Sequence, residues 1–304
     1  MTAPTPEPVK MEATLQRLEQ RIAREARQPR LWRFAKRHPM LFIGLTLLAV
    51  MVVLAVFAPW LTAHDPTNMN VVDRLKPASD RYVFGTDAMG RDIFSRTLYG
   101  ARVSLLVGFC VALLSAAVGV VIGTVAGFSR WIDAIVMRIM DGMMAIPGIL
   151  LAVALMTLIQ ASVQTVIIAI TLPEIPRVVR LVRALVLTIR EQPYIQAAEA
   201  MGTRLPMILA RHVVPNLLTP LIVQASFICA SAMIFEAYLS FLGAGTPPEV
   251  PSWGNIMAEG RTVVQLAFGV ILYPGLFLGL TVLAVNLIGD GLRDLLDPRI
   301  AKKL

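Results

Sequence analysis

Residues 190–216 read Arg-Glu-Gln-Pro-Tyr-Ile-Gln-Ala-Ala-Glu-Ala-Met-Gly-Thr-Arg-Leu-Pro-Met-Ile-Leu-Ala-Arg-His-Val-Val-Pro-Asn. The stretch is polar enough to stay in water, yet apolar segments able to cross a membrane flank it on both sides. Its own wording is helical. Pro193, following Gln192, suits a first helical turn because its φ is already fixed there. Tyr194 to Met201 are good or neutral helix formers. Gly202 then stops the helix, as glycine does just past a C-cap. The result is a short helix carrying Ala197, Ala198 and Ala200. Such small side chains let another surface approach the backbone, so the stretch reads as a docking helix at a membrane surface.

Working outward, the chain has 304 residues, 56% hydrophobic and only 16% charged, where soluble domains run nearer about 25% charged. This is the composition of a membrane protein. The net charge of +8 then serves orientation and anionic lipid, not nucleic acid. Cys110 and Cys229 each lie inside an apolar segment and make neither a disulfide framework nor a metal site. In the polar leader, residues 1–39, Met11, Leu15, Leu18 and Ile22 form one helical face, surrounded by Arg17, Arg21, Arg24, Arg27 and Arg30. Such a segment either lies on an anionic membrane or is a solvated tail. The apolar run that follows is about 22 residues, too long for the 7–15 of a signal peptide and long enough to span about 30 Å.

The expected fold is an all-α membrane protein with six transmembrane helices, at 40–61 and about 101–128, 138–159, 162–186, 213–238 and 266–287. The last five form a core over 101–290. An extracytoplasmic connection fills 62–100, the docking loop 190–212, and a short tail 291–304. Six spans put both termini on one side. Of the 28 Lys and Arg residues, 21 fall in 1–39, 129–138, 177–211 and 293–304. The rule that inner loops are positive therefore makes both termini and the docking helix cytoplasmic. Pro173 and Pro176 predict a kink in the fourth span. Glu174 and Glu236, ionisable at membrane depth, are candidate pathway residues by default. Trp253 suits an interfacial anchor or a contact with another protein.

Several stretches are also similar to a known family. Gln196-Ala197-Ala198, Gly202 and Val214-Pro215 resemble the EAA loop of binding-protein-dependent ABC importer permeases, with Gln196 in place of Glu, His212 in place of Ile and Val214 in place of Leu. His212 to Asn216 is typical of the peptide/nickel branch. Residues 84–96, Phe-Gly-Thr-Asp-Ala-Met-Gly-Arg-Asp-Ile-Phe-Ser-Arg, resemble the signature of the C-type permease of dipeptide and oligopeptide importers. Pro251-Ser252-Trp253-Gly254-Asn255 and the run from Gly289 to Arg299 also resemble that family. One departure is Pro173-Glu174-Ile175-Pro176-Arg177, where members often carry Pro-x-Tyr-Ala-Arg.

The resemblance implies a type I ABC importer permease fold in a bacterial inner membrane. It implies a second, homologous permease subunit, two ATP-binding cassette subunits and an extracytoplasmic solute-binding protein, with no cofactor here and ATP and Mg in the partners. It makes Tyr194, Gln196, Ala197, Ala198, Gly202 and Pro215 the ATPase-coupling residues. Gly85, Asp87, Gly90, Arg91, Asp92, Trp253 and Asn255 become an outer-mouth signature, in which Asp87, Arg91 and Asp92 are expected to pair locally. None of the five lysines follows a glycine, so there is no phosphate-binding P-loop. Nor is there a nucleophile elbow or a zinc pair, and the chain reads as no enzyme. The alternative is a proton-coupled secondary transporter using Glu174 and Glu236. Against it stand the small number of spans and the lack of an inverted repeat.

Overall fold

The computed structural model describes residues 36–296. The basic leader helix and the end of the C-terminal signature lie outside the described residues.

Among the described residues the chain is helical, with one isolated antiparallel bridge between Thr86 and Asp92. Helix α1 (Pro39–Val56) continues after Phe57 as the single turn α2 (Ala58–Leu61). A connection containing one 3₁₀ turn, Val71–Asp73, leads to α3 (Ile93–Phe128). Helices α4 (Arg130–Ala145) and α5 (Gly148–Leu158) follow, then α6 (Val163–Arg190). The docking stretch is α7 (Pro193–Ala200). Next come α8 (Leu205–Ile208), a π turn over Leu209–Val213 and α9 (Val214–Phe241), one apolar run of 37 residues. Helices α10 (Trp253–Gly260) and α11 (Gly269–Leu296) complete the described residues.

Helix α3 has 36 residues, about 54 Å at ~1.5 Å per residue, well beyond a bilayer core of about 30 Å. It starts at Ile93 instead of Ala101. The helix takes in Arg96 because that side chain is neutralised inside the protein, and Asp92 caps the helix, accepting from the amides of Phe94 and Ser95 at 3.3 and 3.0 Å. The third expected span, 138–159, is instead two helices meeting at 86°. Pro147 caps the second helix in an extended conformation, and the preceding Ile146 is also extended, as a residue before proline prefers. The expected loop 129–133 shrinks to Ser129, which ends α3 and begins α4. α6 stays helical through Pro173 and Pro176. By length and composition four helices among the described residues can cross a membrane, α1, α3, the α8–α9 run and α11, and five if the bent pair counts as one span.

The core is built where α3 meets α6. Gly119, Gly123 and Gly127 recur every four residues along α3, and a Cβ on them would meet Val178, Val182 and Val186 at 2.4 to 2.8 Å. Small residues at this spacing let two helix backbones approach in lipid, where the association rests on close packing. Val107, Val111, Ile170, Leu217 and Ile228 extend the same cluster. Gly123→Ala should therefore cost at least about 1–3 kcal/mol through overpacking, since the new methyl also faces the carbonyl oxygen of Val179 at 2.8 Å. A lowered melting temperature in detergent checks this.

Candidate functional site

The docking stretch is built from its ends. Gln192 sits in extended conformation ahead of Pro193. At the other end the amide of Gly202 donates to Glu199 O at 2.9 Å and that of Thr203 to Ala198 O at 3.0 Å, the paired bonds of a Schellman cap. Gly202 has φ +76° and open space around its Cβ position, so only the backbone conformation calls for glycine. Ile195 and Ala198 share the inward face and join the core cluster with Ile208 and Val213. Tyr194, Gln196, Ala197, Ala200 and Met201 face outward. Leu205 and Met207 extend this exposed apolar surface, and Met201 is 79% exposed. Ala198 is thus a correction: it anchors the helix instead of facing a partner, because it lies one turn from Ile195. The Tyr194 ring tilts against His212, centroids 6.1 Å apart, and Pro215 is exposed in the first turn of α9.

At the other end of the molecule the glycine-punctuated signature folds into a charge cluster. Gly90 has φ +77°, and a Cβ there would strike Asn70 O. Asp87 accepts from the amides of Met89 and Arg91 at 2.8 and 3.0 Å and from Arg91 Nε at 2.8 Å. It also accepts from Arg96 Nη1. Glu259, at the end of α10, accepts from Arg96 Nη1 and Nη2 at 2.7 and 3.2 Å and from Arg91 Nη2. The two arginines therefore bridge two carboxylates, clamping α10 to the start of α3. Asp92 does not join them. It caps α3 and lies 3.9 Å from His64 Nδ1. Burial raises the Asp87 carboxyl, but Arg96, Arg91 and the amide bonds outweigh it and hold it below the usual range. A depressed carboxylate contributes stability above its unfolded value, about 3.9, and loses it as pH falls through the lower folded value. The outer cluster should accordingly stay intact through mildly acidic pH and loosen below about pH 4, seen as faster proteolysis of residues 62–92.

Trp253 is fully buried and donates from Nε1 to Thr97 O at 3.0 Å. It is neither a membrane anchor nor a contact surface, because its ring packs with Ala101 and Met233 in the core. Asn255 is also buried; its Nδ2 donates to Thr246 O, Pro247 O and Val250 O at 3.0 to 3.2 Å, pinning the loop before α10. Asn255→Ala should release that loop at about 1–3 kcal/mol, measurable as amide exchange at residues 246–250. Glu236 is enclosed on the described chain. It accepts from Ser104, Ser240 and Ser252 hydroxyls at 3.3, 2.9 and 2.7 Å, and Ser252 in turn caps α10. This is a correction to its candidate pathway role, since Glu236 is fully buried and three hydroxyls hold it inside the core. Glu174 is buried and held by Arg177 Nη1 at 3.2 Å. Arg96 and Glu259 escaped the sequence reading: the pair is separated by 163 positions, and no periodicity links them.

Among the described residues the chain is thus a bundle of long apolar helices with one short helix, α7, exposed on its outer face between α6 and α8. Residues 119–302 match the model of the binding-protein-dependent transport system inner membrane component, and residues 30–78 match that of the N-terminal TM domain of oligopeptide transport permease C. The chain belongs to the family of binding-protein-dependent transport system inner membrane components. It is similar to a probable peptide ABC transporter permease of Sinorhizobium fredii, 49% identical over 89% of this chain and 93% of the relative. It is likewise similar to the dipeptide transport system permease DppC of Alkalihalophilus pseudofirmus, 41% identical over 88% and 90%, and to the oligopeptide transport system permease OppC of Bacillus subtilis, 34% over 90% and 91%. Among solved structures it shares the fold of a chain of the inward-facing MetNI methionine ABC transporter. The TM-score is 0.52 at 20% identity, covering 64% of this chain and 93% of the other. As a transport permease the family is not an enzyme family.

Proposed function

We propose that this chain forms half of the translocation pathway of an ATP-driven importer for di- or oligopeptides, in a bacterial inner membrane. Its companions are a second permease, two ATP-binding cassette subunits, which bind ATP and Mg, and an extracytoplasmic solute-binding protein. α6 is the sixth span; its 28 residues are long enough to cross, and its charges face protein or water. Both termini, with α7, are cytoplasmic. The observation that carries this reading is α7, anchored inward by Ile195 and Ala198 while Tyr194, Ala197 and Met201 remain exposed. An ATPase closing on that surface would move the helix as a lever on α6 and α9, which it joins. The peptide relatives support the solute class. Nothing in the geometry favours the proton-driven alternative. The test is peptide uptake by the purified complex in proteoliposomes with the binding protein supplied. Uptake that needs ATP and survives an uncoupler is expected, and uptake that follows the proton gradient without ATP would overturn the reading.

A further inference from the structure

The bend between α4 and α5 leaves polar groups open beside the middle of α6. A Cβ on Gly148 would lie 3.1 Å from the Pro173 ring, which sets the bend at that depth. Ala145, Ile146 and Pro147 are exposed there, and Gly142 faces open space. On the same side Asp141, Arg177 and Arg180 are 52%, 55% and 43% exposed. Arg180 is paired with Asp141 across the two helices, and Arg177 with Glu174. Lipid tolerates neither an exposed break in a helix nor half-exposed charges at this depth; both occur where protein or a water-filled cavity covers them. A dry subunit contact is the poorer cover, since interface cores are depleted of charge and these ion pairs are already complete within one chain.

We propose that residues 141–148, with Arg177 and Arg180, line the solute passage and form this chain's contact with a zwitterionic peptide in transit. Arginines and carboxylates alternating across α4 and α6 can exchange their mutual pairs for the peptide's charged termini. Met143 and Met144 follow Gly142, and flexible, polarisable methionine accommodates varied side chains. This rests on the peptide-import reading above.

The test uses the complete transporter with Cys110 and Cys229 replaced by alanine, carrying Gly142→Cys or Met144→Cys, and a charged, membrane-impermeant methanethiosulfonate. Phe109→Cys, on an exposed apolar face of α3, is the lipid control. Both elbow cysteines should react while Phe109→Cys does not. Their rates should differ about tenfold between ATP-trapped and nucleotide-free states, as when the accessible conformer rises from about a tenth of the population to nearly all of it, and a transported peptide should slow the reaction. Labelling no faster than Phe109→Cys in either state would overturn the proposal, leaving the face covered by the second subunit or lipid. Labelling indifferent to both nucleotide and peptide would equally overturn it, as a wet surface off the passage. A parent lacking ATP-driven peptide uptake would fail the import reading by itself, and the labelling would still decide whether the elbow is wet.

Discussion

Replacing Arg96 by methionine is expected to destabilise the protein by about 3–5 kcal/mol, the range for breaking a buried ion pair from one side. Arg96 is 1% exposed and its guanidinium serves both Asp87 and Glu259. Methionine keeps much of the volume, so the loss would be electrostatic: the buried Asp87 and the partly exposed Glu259 would share Arg91 alone. The Nε of Arg96 has no partner among the described residues, so the site already carries one unpaired donor and has little slack. Melting of the detergent-solubilised complex reads the effect. Adding Glu259→Gln should recover a substantial part, because one carboxylate then no longer needs a counter-charge. A loss of under about 1 kcal/mol, the range of a surface pair, would mean that water reaches the cluster and that α10 is not held through it.

Gly202→Val should abolish most coupled transport while leaving membrane insertion and expression intact. At φ +76° a β-branched residue costs at least about 1–2 kcal/mol. The strain falls on a helix of 8 residues, far below the ~12–15 that hold helicity on their own. The cap bonds from Gly202 and Thr203 would break, and the Tyr194–Met201 face would lose its shape. A population loss of that size is about tenfold in ATP-driven uptake. Gly202→Asn, which tolerates the left-handed conformation, should retain most activity. Since the Cβ position meets nothing within 4 Å, equal loss in both variants would point to a partner surface filling that space instead of to backbone strain.

The docking helix was legible because its determinants are local: Pro193 at one end, Gly202 at the other, and helix formers between. The turn glycines of the outer signature were legible for the same reason. What sequence reading missed is non-local. Arg96 finds a counter-charge in Glu259, on another helix and 163 positions away. Trp253 looked interfacial because nothing nearby in sequence announces that Thr97 will accept from its indole. The 86° bend at Pro147 hid inside an apolar run whose hydropathy is the same for one straight span or two short helices. The glycine row at 119, 123 and 127 was there to be read, but its valine partners come from another helix, α6.

The account centres on α7 as the surface that receives an ATPase. The most direct measurement is photo-crosslinking in native membranes, with a photoreactive residue in place of Ala197 or Met201 and, as control, in place of Phe109. Adducts of the Ala197 and Met201 positions with an ATP-binding subunit, absent from the Phe109 position, are the predicted result. Active transporter in which neither position reaches an ATP-binding subunit would contradict the docking role and with it the proposed route from ATP to the pathway.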